Sequence, residues 1–135
     1  MTPKQYLQQL PRINERINAK QERLDRLKSL AEKVTTGYGL AYTQGGKHLD
    51  RIAEIVCKII DLTDELNNDI DKLVNLKSEA QKRIDRIKST SYRELLELRY
   101  LDNKTWIQIA NAMHYTERGI YKMHGRALEA FKKCT

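Results

Sequence analysis

The chain has 135 residues, 32% of them charged, and a formal net charge of +7. No apolar run reaches the 18 residues a membrane helix requires, and no signal-peptide core follows Met1, so a membrane span is excluded and a cytoplasmic location is expected. Cys57 and Cys134 belong to no CxxC pair, and His48, His114 and His124 share no metal-ligand spacing with them, so two free thiols and no metal or cofactor are expected.

Residues 12–35 read as a first helix, with Pro11 at its entrance. Leu10, Ile13, Ile17, Leu24, Leu27, Ala31 and Val34 recur at spacings of three and four, with Lys20 interrupting, and Leu30 widens the stripe. Residues 36–48 read as a loop on the strength of four glycines and no sustained period. Gly37, Tyr38, Gly39 and Tyr42 do not make a phosphate loop, because no GxxxxGK[ST] pattern is present.

Residues 49–90 read as one long helix with the stripe Leu49, Ile52, Val56, Ile59, Thr63, Leu66, Ile70, Leu73, Lys77, Ala80, Ile84 and Ile87. Forty-odd residues span about 60 Å, and the first helix covers only roughly 36 Å of that in an antiparallel hairpin. The stripe from about Leu73 to Ile87 must then be covered by the carboxy-terminal segment or by a second chain, and self-association is expected, with Ile59, Leu66, Ile70, Leu73, Ile84 and Ile87 as the contact residues. Acidic side chains dominate from Glu54 to Asp71 and basic ones from Lys72 to Lys88. The carboxylates lie on an exposed helix face with no pocket-forming loops, and no nucleophile–base pair accompanies them, so an enzyme is not expected.

Three shorter helices follow, at about 91–101, 106–113 and 117–131. Leu95, Leu96, Leu98 and Tyr100 form the inward face of the first, which Asp102-Asn103 ends. Thr105 caps the second, whose packed face is Trp106, Ile109, Ala110 and Met113. Thr116 caps the third, whose buried stripe is Ile120, Met123, Ala127, Leu128 and Phe131. The break His114-Tyr115 between two such helices fits a helix-turn-helix. The third helix's polar face then enters a DNA major groove with Glu117, Arg118, Tyr121, Lys122, Gly125 and Arg126. Lys104 and Thr105 are placed to meet phosphate, with Arg93, Arg99 and Lys132 as further options, and His114 and His124 are expected at the surface or rim.

The stretch from Leu95 to Phe131 resembles region 4 of bacterial sigma factors, through Leu98-Arg99-Tyr100, Trp106, Ile109-Ala110, Thr116 and Arg126-Ala127-Leu128. Gly119 stands where sigma factors usually carry an Arg. The whole chain resembles the ArpU/RinA-like late transcriptional regulators of phages and prophages, through the opening YLQQLPRINERINAKQERLDRLKSLAEKVT, LLELRYLDNKTWIQIA and MHGRALEAF. That resemblance implies a coiled-coil oligomerisation hairpin over 1–90 and a DNA-binding domain over 91–135. It also implies activation of late phage genes, including packaging and morphogenesis operons, in a host bacterial cell. The partners expected are double-stranded DNA, further copies of the chain in a homo-oligomer, and RNA polymerase. The fold expected is all-α. A packaging component resembling a small terminase subunit, and a coiled-coil protein adaptor, are the alternatives.

Overall fold

A computed structural model describes residues 1–36 and 45–134. They form five α-helices and no strand: α1 (Pro3–Thr36), α2 (Gly45–Asp85), α3 (Thr90–Leu96), α4 (Trp106–Met113) and α5 (Glu117–Lys133). A π-helical turn, Glu97–Leu101, extends α3. The protein is all-α, a long helical pair followed by a cluster of three short helices, as the sequence pattern requires.

Two compact units divide the chain. One comprises Glu15–Asp71; the other joins Met1–Asn14 to Lys72–Thr135. In the first, α1 and α2 run antiparallel, because Leu24 packs on Leu62 and Leu66 while Lys20 reaches Asp69 and Glu65. Ile17, Leu27 and Ile59 close over that contact. Asp69 is buried, and Lys20 Nζ lies 2.7 Å from its Oδ2, with Arg16 at 3.8 Å on the other oxygen. The polar interruption at position 20 is thus answered across the seam by a carboxylate.

In the second unit the core is Leu7 and Leu10 of α1, Ala80 and Ile84 of α2, Ile87, and the inward faces of the short helices. Leu95, Leu96, Ile109, Ile120, Ala127 and Phe131 are sealed from water there. Arg83 stacks over the rings of Tyr6 and Phe131, at 4.2 and 4.5 Å from their centroids. The boundary expected between residues 90 and 91 therefore falls inside one packed unit.

Both ends of α1 and of α2 differ from expectation. α1 begins at Pro3, not at residue 12, and Pro11 lies inside it. Thr2 and Gln5 cap the start reciprocally, Gln5 N–H donating to Thr2 Oγ1 at 3.1 Å and Thr2 N–H to Gln5 Oε1 at 2.9 Å. Burial of Leu7 and Leu10, roughly 1.5–3 kcal/mol each, offsets an interior proline's cost of about 3 kcal/mol. Of the expected loop, 37–44 lies outside the described residues, while Thr36 belongs to α1 and residues 45–48 to α2.

α2 ends at Asp85 rather than at residue 90. Its last turn tightens through Arg86 N–H to Arg83 O and Ile87 N–H to Ile84 O, and Arg93 donates to the freed carbonyls of Ile87 and Lys88. Ser89 then caps α3, accepting from Tyr92 N–H.

Candidate nucleic-acid interface

Two threonines set the frame. Thr105 and Gln108 form a capping box at α4, with Gln108 N–H donating to Thr105 Oγ1 at 3.2 Å and Thr105 N–H to Gln108 Oε1 at 3.0 Å. Thr116 accepts from Gly119 N–H at 3.1 Å and starts α5. Between them α4 stops at His114, a non-glycine residue held in the left-handed region at φ 60°, ψ 40°. Tyr115 N–H closes the turn onto Ala110 O at 2.9 Å. Asn103, at φ 56°, plays the same part after α3 and its π turn.

α5 is buried along Ile120, His124, Ala127 and Phe131, with Met123 and Leu128 half-buried beside them. Its opposite face is exposed at Glu117, Arg118, Tyr121, Lys122, Gly125 and Arg126, the six positions assigned to the groove. Arg118, Lys122 and Arg126 form no ion pair among the described residues. Tyr121 is half exposed, and the edge of its ring meets Trp106 at 5.3 Å. The structure thus brings these residues together on one accessible face of a helix that is fixed from behind.

The residues assigned to phosphate fare differently. Lys104 and Thr105 are exposed, but the Thr105 hydroxyl is engaged in capping, and Lys104 O accepts from Arg99 at 3.1 Å. Arg99 lies over the Trp106 ring at 4.2 Å, and Arg93 is engaged with the end of α2 and with Thr90. Lys132 is exposed on the last turn of α5. Of the residues assigned to self-association, Leu66, Ile84 and Ile87 are buried within the chain, and Ile59 and Leu73 are half-buried. Ile70 is exposed.

One assignment is overturned. His124 is buried, not at the rim, because it falls on the 120–124–127–131 stripe that faces the core. Its Nε2 and the Tyr100 hydroxyl share a hydrogen bond of 2.7 Å, and its ring meets Trp106 edge-on at 4.7 Å. Burial, reinforced by the charges of Lys4 and Arg99, holds the imidazole down at about 4, and burial pushes the Tyr100 hydroxyl up to about 12. Both side chains are therefore neutral at pH 7. The pair braces the back of α5 against the π turn and is not poised for proton transfer at the surface. Among the described residues no cluster of His, Cys, Asp or Glu is suited to a metal, and no helix is long and apolar enough to cross a membrane.

A family model described as a protein of unknown function (DUF1492) matches residues 35–132. The chain belongs to the DUF1492 family. The DUF1492 match takes in all of α2, α3 and α4 and nearly all of α5, so the cluster of short helices and the whole exposed face of α5 lie within it. No curated protein and no solved structure matches the chain.

Proposed function

We propose that the protein is a sequence-specific double-stranded DNA-binding regulator of phage or prophage transcription, acting in the bacterial cytoplasm. The observation that carries the reading is the exposed face of α5. Glu117, Arg118, Tyr121, Lys122, Gly125 and Arg126 are all accessible on a helix whose other side is locked into a core. Short helix, tight turn and capped second helix form a helix-turn-helix, in which the second helix enters the major groove. Arg118 donates to a guanine edge, Glu117 accepts from cytosine N4, and Tyr121, steadied by Trp106, packs on a thymine methyl. The activation of late genes, with RNA polymerase as a further partner, rests on the likeness to ArpU/RinA-like regulators. No enzymatic role is proposed. Selection of bound duplexes from a random pool, followed by binding measurements across salt concentrations, tests the reading. A preferred sequence supports it, whereas equal affinity for every duplex, or none at low salt, overturns it.

Self-association belongs to the same proposal and rests on a surface that keeps only Ile70 of the contact residues read from the sequence. Leu49, Val56, Ile60 and Ile70 are exposed on α2, and with Ala53, Thr63 and Asn67 they recur at spacings of four and three. Thr63 turns its hydroxyl back onto Ile59 O at 2.7 Å and so presents a methyl group. A lone Asn on such a stripe favours a two-stranded pairing with a second copy. Asp50, Asp64 and Asp71 edge the stripe, so association through it strengthens with salt while DNA binding weakens. Light scattering at low and high salt checks both the number of chains and that sign. A ring of eight or more subunits would favour a packaging component resembling a small terminase subunit.

A further inference from the structure

Two shallow cavities adjoin on the α3 side of α5. One reaches from Ser89 and Ser91 to Gly119 and the other from Gly125 to Lys133, and they share Tyr92, Lys122 and Arg126. Together they make a groove along α5 with Tyr92 on its far wall. Lys122, Arg126 and Lys133 all line it. Like charges four residues apart on a helix repel, yet none of the three has an ion pair among the described residues, and Glu129 is the only carboxylate lining the groove.

Gly125 lies in the same wall. A Cβ built there meets nothing within 4 Å, so no packing inside the chain calls for a glycine. What its absent side chain does provide is open helix backbone in the wall that Lys122 and Arg126 also line. The neutral donors point the same way. The Ser89 hydroxyl accepts from Tyr92 N–H and keeps its own proton to give, and Ser91 lines the same cavity. From Lys122 to Lys133 the helix advances about 16 Å, enough to face several consecutive phosphates at 3.4 Å of duplex axis each.

We propose that this groove seats one sugar–phosphate strand of the bound duplex. Lys122, Arg126 and Lys133 neutralise successive phosphates, Tyr92 packs against sugar, and Gly125 lets the strand approach the helix backbone. Base reading falls to Glu117, Arg118 and Tyr121 on the other part of the face. The inference rests on the DNA-binding reading above and divides the face into a positioning half and a specifying half.

The test uses the full chain, a duplex selected from a random pool and an unselected duplex, with affinities measured from about 50 to 200 mM salt. Arg126→Ala and Lys133→Ala weaken both duplexes by the same factor, and each lowers the slope of log affinity against log salt by roughly one. Arg126→Lys retains the slope. Arg118→Ala instead narrows the gap between the two duplexes. Unchanged slopes in both alanine variants, or a changed base preference in Arg126→Ala, overturn the groove and leave DNA binding standing. If the unaltered chain binds neither duplex at low salt, the DNA-binding reading fails and the groove with it. All these side chains are exposed, so melting curves close to that of the unaltered chain accompany a valid result.

Discussion

His124 gives the protein a measurable acid sensitivity. Its imidazole is held at about 4 by burial and by the charges of Lys4 and Arg99, against about 6.5 in an unfolded chain. Between those values the unfolded chain binds a proton that the folded chain refuses. The contribution is fully present above about 6.5, is lost as pH falls and levels off below about 4, amounting to at most about 3 kcal/mol. Urea unfolding at a series of pH values, compared between the unaltered chain and His124→Leu, isolates it from the carboxylates. The variant's profile is flatter over that window, and its stability at pH 7 is lower because the buried Tyr100 hydroxyl loses its partner. The glycines of α5 provide a second residue-level contrast. Gly125→Ala meets open space in a helix interior and raises stability by up to about 1 kcal/mol. Gly119→Ala gains less, because its Cβ would stand 3.2 Å from Thr116 Oγ1, the atom that caps the helix. Paired thermal melts distinguish the two.

Between elements, the Lys20–Asp69 pair sets the register of α1 against α2. Lys20→Met removes the cation that stands 2.7 Å from a buried carboxylate, which Arg16 approaches only to 3.8 Å, and costs about 2–4 kcal/mol. Joint replacement of Lys20 and Asp69 by leucine recovers most of that loss, and a double-mutant cycle in urea measures both. The pair also shows why the hairpin was legible in outline and not in register. The stripe read from the sequence mixes Leu49, Val56 and Ile70, which are exposed, with Ile52, Ile59, Leu66 and Leu73, which are turned inward at least in part. Each set recurs at multiples of seven, and the two interleave at spacings of three and four, so periodicity alone cannot choose between them. Asp69 on the inward seam disguises the true one, and it makes sense only with Lys20 opposite. The caps of α4 and α5 were legible because Thr105 and Thr116 act on residues three positions on. The polar face of α5 was legible from its period for the same local reason. Tyr92, Ser89 and Ser91 were not, since only the packing of α3 against α5 brings them to Lys122 and Arg126. The end of α2 was missed because the side chain that donates to the carbonyls of Ile87 and Lys88 just beyond it, Arg93, belongs to the next helix.

For the chain as a whole, the two compact units predict which pieces fold alone. The short helices share their core with Leu7, Leu10, Ala80, Ile84 and Ile87. A fragment of residues 91–135 exposes the faces those side chains cover. At roughly 1.5–3 kcal/mol for each of the four large side chains lost, the deficit of about 6–12 kcal/mol is as large as the whole stability of an ordinary domain, about 5–15 kcal/mol. That fragment is expected to show little helix by circular dichroism and no cooperative melt. A chain in which residues 17–68 are replaced by a short Gly/Ser linker retains Arg16 and Asp69, whose side chains approach to 3.8 Å, so the linker has little distance to bridge. It keeps every residue of the shared core and is expected to melt cooperatively. It lacks Leu49, Val56 and Ile60, so if that stripe joins two copies, the trimmed chain is a monomer that still binds the selected duplex, but more weakly than the full chain because only one half-site is engaged at a time. Cooperative folding of 91–135 would show that the α1 and α2 segments are dispensable to the short helices. Persistence of the dimer in the trimmed chain would move the self-association surface off α2.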